Sequence, residues 1–160
     1  MRGVILATAL TLTRPIPIGV ADHNPGNILS TRPSLWPGAV GCDPYGHLVF
    51  MTDVDGIRGI RRVLWGYWRK HHLHTIRAIC HRWASRDVDT PEKLRERLDY
   101  AKKVAWEAHL GLDEPVDMTD GWVLFRLAKG IVYAEEDYQP YPDALFKEAL
   151  GLAGDQETSR

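Results

Sequence analysis

From residue 53 onwards, apolar side chains recur every three or four positions, and this spacing constrains the fold more than any other feature of the chain. Residues at that spacing share one face of an α-helix, which is then buried against a neighbouring element. The chain has 160 residues, a length that suits one domain with its own core. The apolar positions fall into five segments: Ile57, Ile60, Val63, Leu64 and Tyr67; Ile76, Ile79, Cys80 and Trp83; Leu94, Leu98, Ala101, Val104 and Ala108; Trp122, Phe125, Ala128, Ile131 and Val132; and Leu145, Ala149 and Leu152. We therefore predict a mainly α fold of about five helices.

Residues that favour the start of a helix precede each segment. The third segment has the clearest start, because Thr90 is a capping residue, Pro91 suits the first helical position and Glu92 complements the helix dipole. The predicted starts are Asp53 or Asp55, Thr75, Thr90, residues 117–120, and the position after Pro142.

The N-terminal part of the chain has a different composition. Residues 14–49 are rich in Pro and Gly, which predicts a loop-rich region. Residues 47–51 predict one strand of a short β-hairpin, with the other strand near residues 38–42. We predict an apolar, weakly signal-like arm at residues 1–18, a single domain at residues 19–154 and a flexible tail at residues 155–160. The arm is too short to span a bilayer, and no transmembrane segment is expected elsewhere.

Charge and cysteine content exclude several classes of protein. Twenty basic and 21 acidic residues give a net charge of −1, so no overall field attracts nucleic acid or an anionic membrane. Cys42 and Cys80 are too few for a disulfide framework, although one bridge stays open, and Cys80 suits a small core position. The four histidines between residues 71 and 81 lack the spacing of a helical zinc site. We expect neither a metal nor a cofactor.

Residues 22–28 read D-H-N-P-G-N-I, and we call them the Asn-Pro-Gly-Asn loop. Pro25 fixes its own φ, and Gly26 is expected to adopt the positive φ of a type II turn. Asn24 and Asn27 are placed to bond to the backbone on either side of that turn. The sequence therefore predicts a rigid, self-bonded loop.

Glu135 is the acid whose position most suggests chemistry. It stands beside Glu136 and Asp137 at a predicted helix end, yet it continues the apolar face of Ile131 and Val132. A carboxyl group at the border of an apolar face has a raised pKa, which a general acid near neutral pH requires. The alternative is an exposed acidic cluster on a solvated helix end. Gln139 and Tyr141 follow closely and offer an amide and an aromatic ring to a ligand.

A basic segment supports a different interpretation. Residues 53–74 carry five cationic side chains with two tryptophans between them, a mixture found in nucleic-acid-binding surfaces and, more commonly, on the solvated faces of helices. These residues are Arg58, Arg61, Arg62, Arg69, Lys70, Trp65 and Trp68.

Several motifs, taken in order, resemble those of a family of small phage proteins and prophage-encoded homologues, commonly labelled phage structural proteins or virion-associated lysins. Residues 24–28 resemble the N-N-P-G-N-I opening of that family, and Phe50 with residues 56–58 resembles its F…G-I-R helix start. Further likenesses are an L-x-T-I-x-x-I pattern at residues 73–79, R-W-A at residues 82–84, and I-I-x-H-E-N-G-x-Q-P-Y at residues 131–141. The resemblance covers residues 19–154.

The resemblance implies a lysozyme-like domain that cleaves the glycan strand of bacterial peptidoglycan, in the virion or in the periplasm and cell wall of the host. Glu135 would be the general acid, alone as in lytic transglycosylases or with Asp22 or Asp53 as a second carboxylate. The substrate-binding candidates are Asn24, Asn27, Trp83, Gln139 and Tyr141. Peptidoglycan and other virion proteins are the expected partners, and nucleic acid is not.

Two departures from the family pattern keep a second interpretation open. Residues 134–137 read A-E-E-D where the family has H-E-N-G, and residues 85–90 replace a Pro-rich segment. The alternative is a non-catalytic virion structural or DNA-ejection protein on the same scaffold.

Overall fold

The computed structural model describes residues 15–85 and 88–152. Most of the predicted N-terminal arm, and the whole predicted tail at residues 155–160, lie outside the described residues. In chain order the elements are α1 (Ile18–Ala21), a 3-10 turn (Pro33–Leu35), β1 (Ala39–Cys42), β2 (Leu48–Phe50), α2 (Asp53–His71), α3 (Ile76–Trp83), α4 (Pro91–Ala108), α5 (Gly121–Glu136) and α6 (Asp143–Leu150). The prediction of a mainly α fold, with about five helices after a loop-rich region and a short hairpin, is confirmed.

Polar side chains cap the starts of four of these helices. Thr75, Thr90 and Asp120 accept hydrogen bonds from backbone N–H groups in the first turns of α3, α4 and α5; the sequence predicted the first two positions and placed the third within residues 117–120. The cap of α2 was predicted wrongly as Asp53 or Asp55. It is Thr52, whose hydroxyl accepts a hydrogen bond from the N–H of Asp55, because Asp53 is already the first helical residue.

The apolar faces of the helices meet in one core. Helix α4 packs against α3 and α5, and α2 packs against α6. Ile57, Ile60 and Leu64 of α2 are fully buried, as their spacing predicted. Helices α4 and α5 approach closely at Gly130, where an added Cβ would lie 2.7 Å from the carbonyl oxygen of Val104. This contact brings the C-terminal part of α4 beside the C-terminal half of α5.

The Asn-Pro-Gly-Asn loop is self-bonded as predicted, but its backbone differs from the predicted type II turn. The N–H of Asn27 donates to the carbonyl oxygen of Asn24 over 2.9 Å, and positive φ occurs at His23 (53°) and Asn27 (44°) rather than at Gly26. Gly26 serves close packing instead, because an added Cβ would lie 2.8 Å from Ile60 and 3.1 Å from Trp83. The loop is therefore pressed between α2 and α3.

Candidate functional site

Glu135 lies in the last turn of α5, and its carboxylate accepts three hydrogen bonds from three separate parts of the fold. Oε1 accepts from the indole Nε1–H of Trp83 (3.0 Å) and from the hydroxyl of Tyr100 (2.8 Å). Oε2 accepts from Nδ2 of Asn27 (3.0 Å). A carboxylate offers about four acceptor positions, so among the described residues these donors leave one position on Oε2. The three bonds fix the orientation of the carboxylate.

Each donor is placed by the element that carries it. Trp83 is the last residue of α3, Tyr100 is in the middle of α4, and Asn27 ends the turn of the Asn-Pro-Gly-Asn loop. Because α4 packs on both α3 and α5, Trp83 and Tyr100 reach the same side of Glu135. The left-handed backbone of Asn27 is tolerated since Asn adopts that region more readily than most residues.

Three cavities share lining residues, and we call them together the groove; Glu135 lines the first of them. The Glu135 cavity, of about 290 Å³, has walls that include Asn27, His47, Trp83 and Tyr100. Asn27 and Trp83 also line the central cavity, of about 410 Å³. The walls of the central cavity include Trp36, Arg62, Tyr67, His71 and Arg82, and Trp36 and Arg62 continue into an outer cavity of about 390 Å³. The groove thus combines two carboxylates, Glu135 in the first cavity and Asp55 in the outer one, with aromatic and cationic side chains.

Glu136, the next residue along the chain, is buried and has a raised pKa. Its side chain is 4% exposed, and neither carboxylate oxygen has a hydrogen-bond partner among the described residues. It lies against Gly19 of α1, where an added Cβ would overlap Oε1. Burial, reinforced by the charges of Glu135 and Asp137, raises the pKa of Glu136 to about 7.

The cluster of acids at the end of α5 is partly offset by a cation from α4. Lys103 pairs with Asp137 and donates to the carbonyl oxygen of Ala134 (3.4 Å). Asp137 caps the helix in the left-handed conformation, with φ of 62°. A cation at a helix C-terminus is favourable, because that end carries the negative pole of the dipole.

The structure brings two of the five predicted substrate-binding residues, Asn27 and Trp83, to Glu135. Asn24 is fully buried, and its amide bonds to the backbone of Ile28 and Leu48.

Gln139 and Tyr141 also lie outside the groove. Nε2 of Gln139 donates to the carbonyl oxygen of Lys129 (3.3 Å). Tyr141 is 8% exposed and donates to Oδ1 of Asp53 (3.1 Å). Burial first, and then the charge of Asp53, raises the pKa of Tyr141.

The two acids considered as a second carboxylate do not line the Glu135 cavity. Oδ1 of Asp53 contacts Nδ1 of His23 (2.8 Å) besides Tyr141. Asp22 has one buried oxygen, Oδ2, without a hydrogen-bond partner in the described part of the chain. Burial, followed by the charge of Asp43, raises the pKa of Asp22. Glu135 is the one carboxylate among the described residues that line this cavity.

Sequence reasoning missed Tyr100 and His47. Tyr100 stands four residues before the buried Val104, so the helical pattern already placed it on the face of α4 that meets α5. His47 precedes β2, and only the packing of the hairpin brings it to the cavity wall, where its Nδ1 contacts Oδ2 of Asp43 (2.9 Å).

Cys42 and Cys80 are unpaired, and burial raises the pKa of the Cys80 thiol. Within residues 15–85 and 88–152, no group of three His, Cys, Asp or Glu side chains is placed to hold a metal ion. In the same residues, every helix is too short or too polar to cross a bilayer. Neither the protein-family models nor the curated proteins with which the chain was compared gave a match.

Proposed function

We propose that this protein is a phage or prophage virion-associated enzyme that cleaves the glycan strand of peptidoglycan, with Glu135 as general acid. One observation carries the proposal: an oriented carboxylate stands at the end of a groove whose walls carry indole and phenol rings. Aromatic rings favour the flat apolar faces of sugars, and a rigid carboxylate is what proton transfer to a glycosidic oxygen requires.

The chemistry uses Glu135 twice. In the protonated form it donates its proton to the glycosidic oxygen as the bond from that oxygen to C1 breaks. The 6-hydroxyl of the same sugar then attacks C1, and the carboxylate takes up the hydroxyl proton. The products are a shortened strand and a 1,6-anhydro sugar end, and no water is consumed.

A single-acid reaction fits this site better than a two-carboxylate hydrolysis. Hydrolases that use two carboxylates place the second one about 5–9.5 Å from the first, across the sugar. Among the described residues, no second carboxylate lines the Glu135 cavity, and Glu136 and Asp137 line a different cavity with Glu135. Asn27 occupies one of the two acceptor positions on Oε2, and the other is available for the transferred proton.

A non-catalytic virion structural or DNA-ejection protein is the second candidate, and one observation favours it. The three hydrogen bonds of Glu135 also join α3, α4 and the Asn-Pro-Gly-Asn loop to α5. A carboxylate held in this way stabilises a scaffold whether or not it transfers a proton.

Zymography on purified cell walls tests the proposal. Wild-type protein should clear the walls, and Glu135→Gln should lose on the order of 10²–10⁴-fold in rate, the range that general acid catalysis supplies. Glu148→Gln, on an exposed position of α6, is the matched control and should clear normally. Mass spectrometry of the products should show ends lighter by one water than hydrolysis gives. Absence of clearing by the folded wild type would favour the structural candidate. Equal clearing by Glu135→Gln and wild type would show that a residue other than Glu135 is the general acid.

A further inference from the structure

The central cavity of the groove is cationic. Its walls carry Arg62 from α2 and Arg82 from α3, together with His71, and no Asp or Glu lines it among the described residues. Both arginines are exposed. An exposed guanidinium in a concave, acid-free wall creates a local attraction for anions that the net charge of the chain, −1, does not reveal.

The two arginines contact aromatic rings, a backbone carbonyl and an imidazole. The guanidinium of Arg62 stacks over the Trp36 ring (4.9 Å) and donates to the carbonyl oxygen of Leu35 (2.7 Å). That of Arg82 lies over the Tyr67 ring (5.3 Å), with one nitrogen 3.4 Å from Nε2 of His71. Within residues 15–85 and 88–152, neither forms an ion pair with a carboxylate. Each guanidinium has five N–H donors, so both keep donors for a ligand.

We propose that Arg62 and Arg82 form a subsite for the carboxylates of an acidic glycan, which enters the groove with its scissile bond at Glu135. The inference rests on the proposed function, since it identifies the substrate as a glycan strand that carries carboxylates. Peptidoglycan supplies this chemistry from two sources, the lactyl groups of the sugars and the peptides attached to them. Arg recognises a carboxylate in a bidentate manner, which gives the subsite geometric specificity.

The charges along the groove favour an acidic glycan over a nucleic acid. Glu135 lines one cavity of the groove, whereas in the outer cavity Asp55 pairs with Arg58 at 3.4 Å beside Arg61 and Arg62. A polymer with one phosphate per nucleotide would bring negative charge to Glu135. A glycan with carboxylates only at some positions brings its charge to the two arginines, and its neutral sugar faces meet Trp36, Tyr67 and Trp83.

Binding rather than cleavage tests the subsite. All proteins in this test carry Glu135→Gln, so that bound strands are not cleaved. Because the test measures binding alone, its result can be interpreted even if the protein proves not to be catalytic. The probes are glycan strands without peptides, strands with peptides, and neutral chitooligosaccharides of the same length. The double variant Arg62→Gln/Arg82→Gln is compared with Arg95→Gln/Arg126→Gln, a control of equal charge at exposed positions of α4 and α5.

We expect the double variant to bind acidic strands at least about tenfold more weakly, because charge-assisted hydrogen bonds are lost, and to lose most of the salt dependence of binding. Binding to chitooligosaccharides should not change, and the control variant should match the background protein. A loss confined to peptide-bearing strands assigns the carboxylates to the peptides, whereas a loss with both acidic probes includes the lactyl groups. Equal weakening for the neutral oligosaccharide, no weakening at all, or tighter binding of a single-stranded oligonucleotide would overturn the inference.

Discussion

Two asparagines three residues apart have different surroundings in the Asn-Pro-Gly-Asn loop. Asn24 is buried and makes three hydrogen bonds: Nδ2 donates to the carbonyl oxygens of Ile28 (3.1 Å) and Leu48 (2.8 Å), and Oδ1 accepts from the N–H of Ile28 (3.0 Å). Asn27 is half-buried and directs its amide at Glu135. The first joins the loop to β2, and the second connects the loop with the groove.

Substitution of each asparagine should therefore affect a different property. Asn24→Ala should lower the free energy of unfolding by about 2–4 kcal/mol, since the carbonyls of Ile28 and Leu48 each lose a donor and the N–H of Ile28 loses its acceptor. Asn27→Gly keeps a residue suited to positive φ but removes the donor to Glu135. We expect it to slow cell-wall clearing about tenfold or more, with little change in stability. Chemical denaturation and zymography measure the two effects, and a stable Asn24→Ala protein would contradict the assignment.

At the residue scale, the sequence singled out Glu135 from its neighbours Glu136 and Asp137, because it continues the apolar face of the helix. The apolar spacing of α5 pointed to Glu135 as the acid with a raised pKa, whereas the carboxyl that is buried belongs to Glu136. The difference arises from Gly19, more than 100 positions earlier in the sequence. Such a contact depends on how α1 packs on α5, and no local pattern contains it.

At the scale of elements, the Asn-Pro-Gly-Asn loop packs against the first turn of α2. A Cβ at Gly56 would overlap the carbonyl oxygen of His23 and lie 2.9 Å from the ring of Pro25. The same helix contains Gly66, where an added Cβ would meet no atom within 4 Å. One glycine is therefore required by packing, and the other is not.

These two glycines provide a matched pair for a stability measurement. Gly56→Ala should lower the free energy of unfolding by about 2–3 kcal/mol, because the loop must shift away from α2. Gly66→Ala should raise it by about 0.5–1 kcal/mol, because Ala is the better helix former. Thermal and urea denaturation of both variants measure these changes. A tolerated Gly56→Ala would show that the loop is not pressed against α2 in solution.

Helices were the part of the fold most readily predicted from the sequence. The starts of α3, α4 and α5 follow from Thr75, Thr90 and Asp120, because a cap and the apolar spacing after it are local properties. The arrangement of the helices was not predictable in the same way. It depends on close approaches such as that of Gly130 to the backbone of Val104, and it is this approach that brings Tyr100 to Glu135.

At the scale of the whole molecule, the N-terminal region meets the helical part at the end of α5. Asn27 bonds to Glu135, and Gly19 lies against Glu136. Two neighbouring carboxyl groups of α5 thus contact the N-terminal region: Glu135 through a hydrogen bond and Glu136 through close packing. The second contact places a titratable group in the interior, so the stability of the whole fold becomes dependent on pH.

The sign of that dependence follows from the direction of the pKa shift. The pKa of Glu136 rises from 4.5, its ordinary value, to about 7 in the folded protein. Between these values the folded state keeps a proton that the unfolded state releases, so stability falls as pH rises. The contribution is fully present below pH 4.5 and is lost as the pH passes about 7. One pKa unit corresponds to about 1.4 kcal/mol, so the loss amounts to at most about 3.5 kcal/mol.

Glu136→Gln should remove this dependence, because an amide stays neutral throughout the range. The free energy of unfolding of the variant minus that of the wild type should increase between pH 4.5 and 7 and then become constant. The loss of stability caused by burying the amide is the same at each pH. The change of this difference with pH therefore reports the ionisation of the Glu136 carboxyl group alone. Urea denaturation at several pH values measures it, with Glu148→Gln as an exposed control whose difference should stay flat across the same range. A flat difference for Glu136→Gln would show that water reaches this carboxyl, and that the N-terminal region does not seal the end of α5.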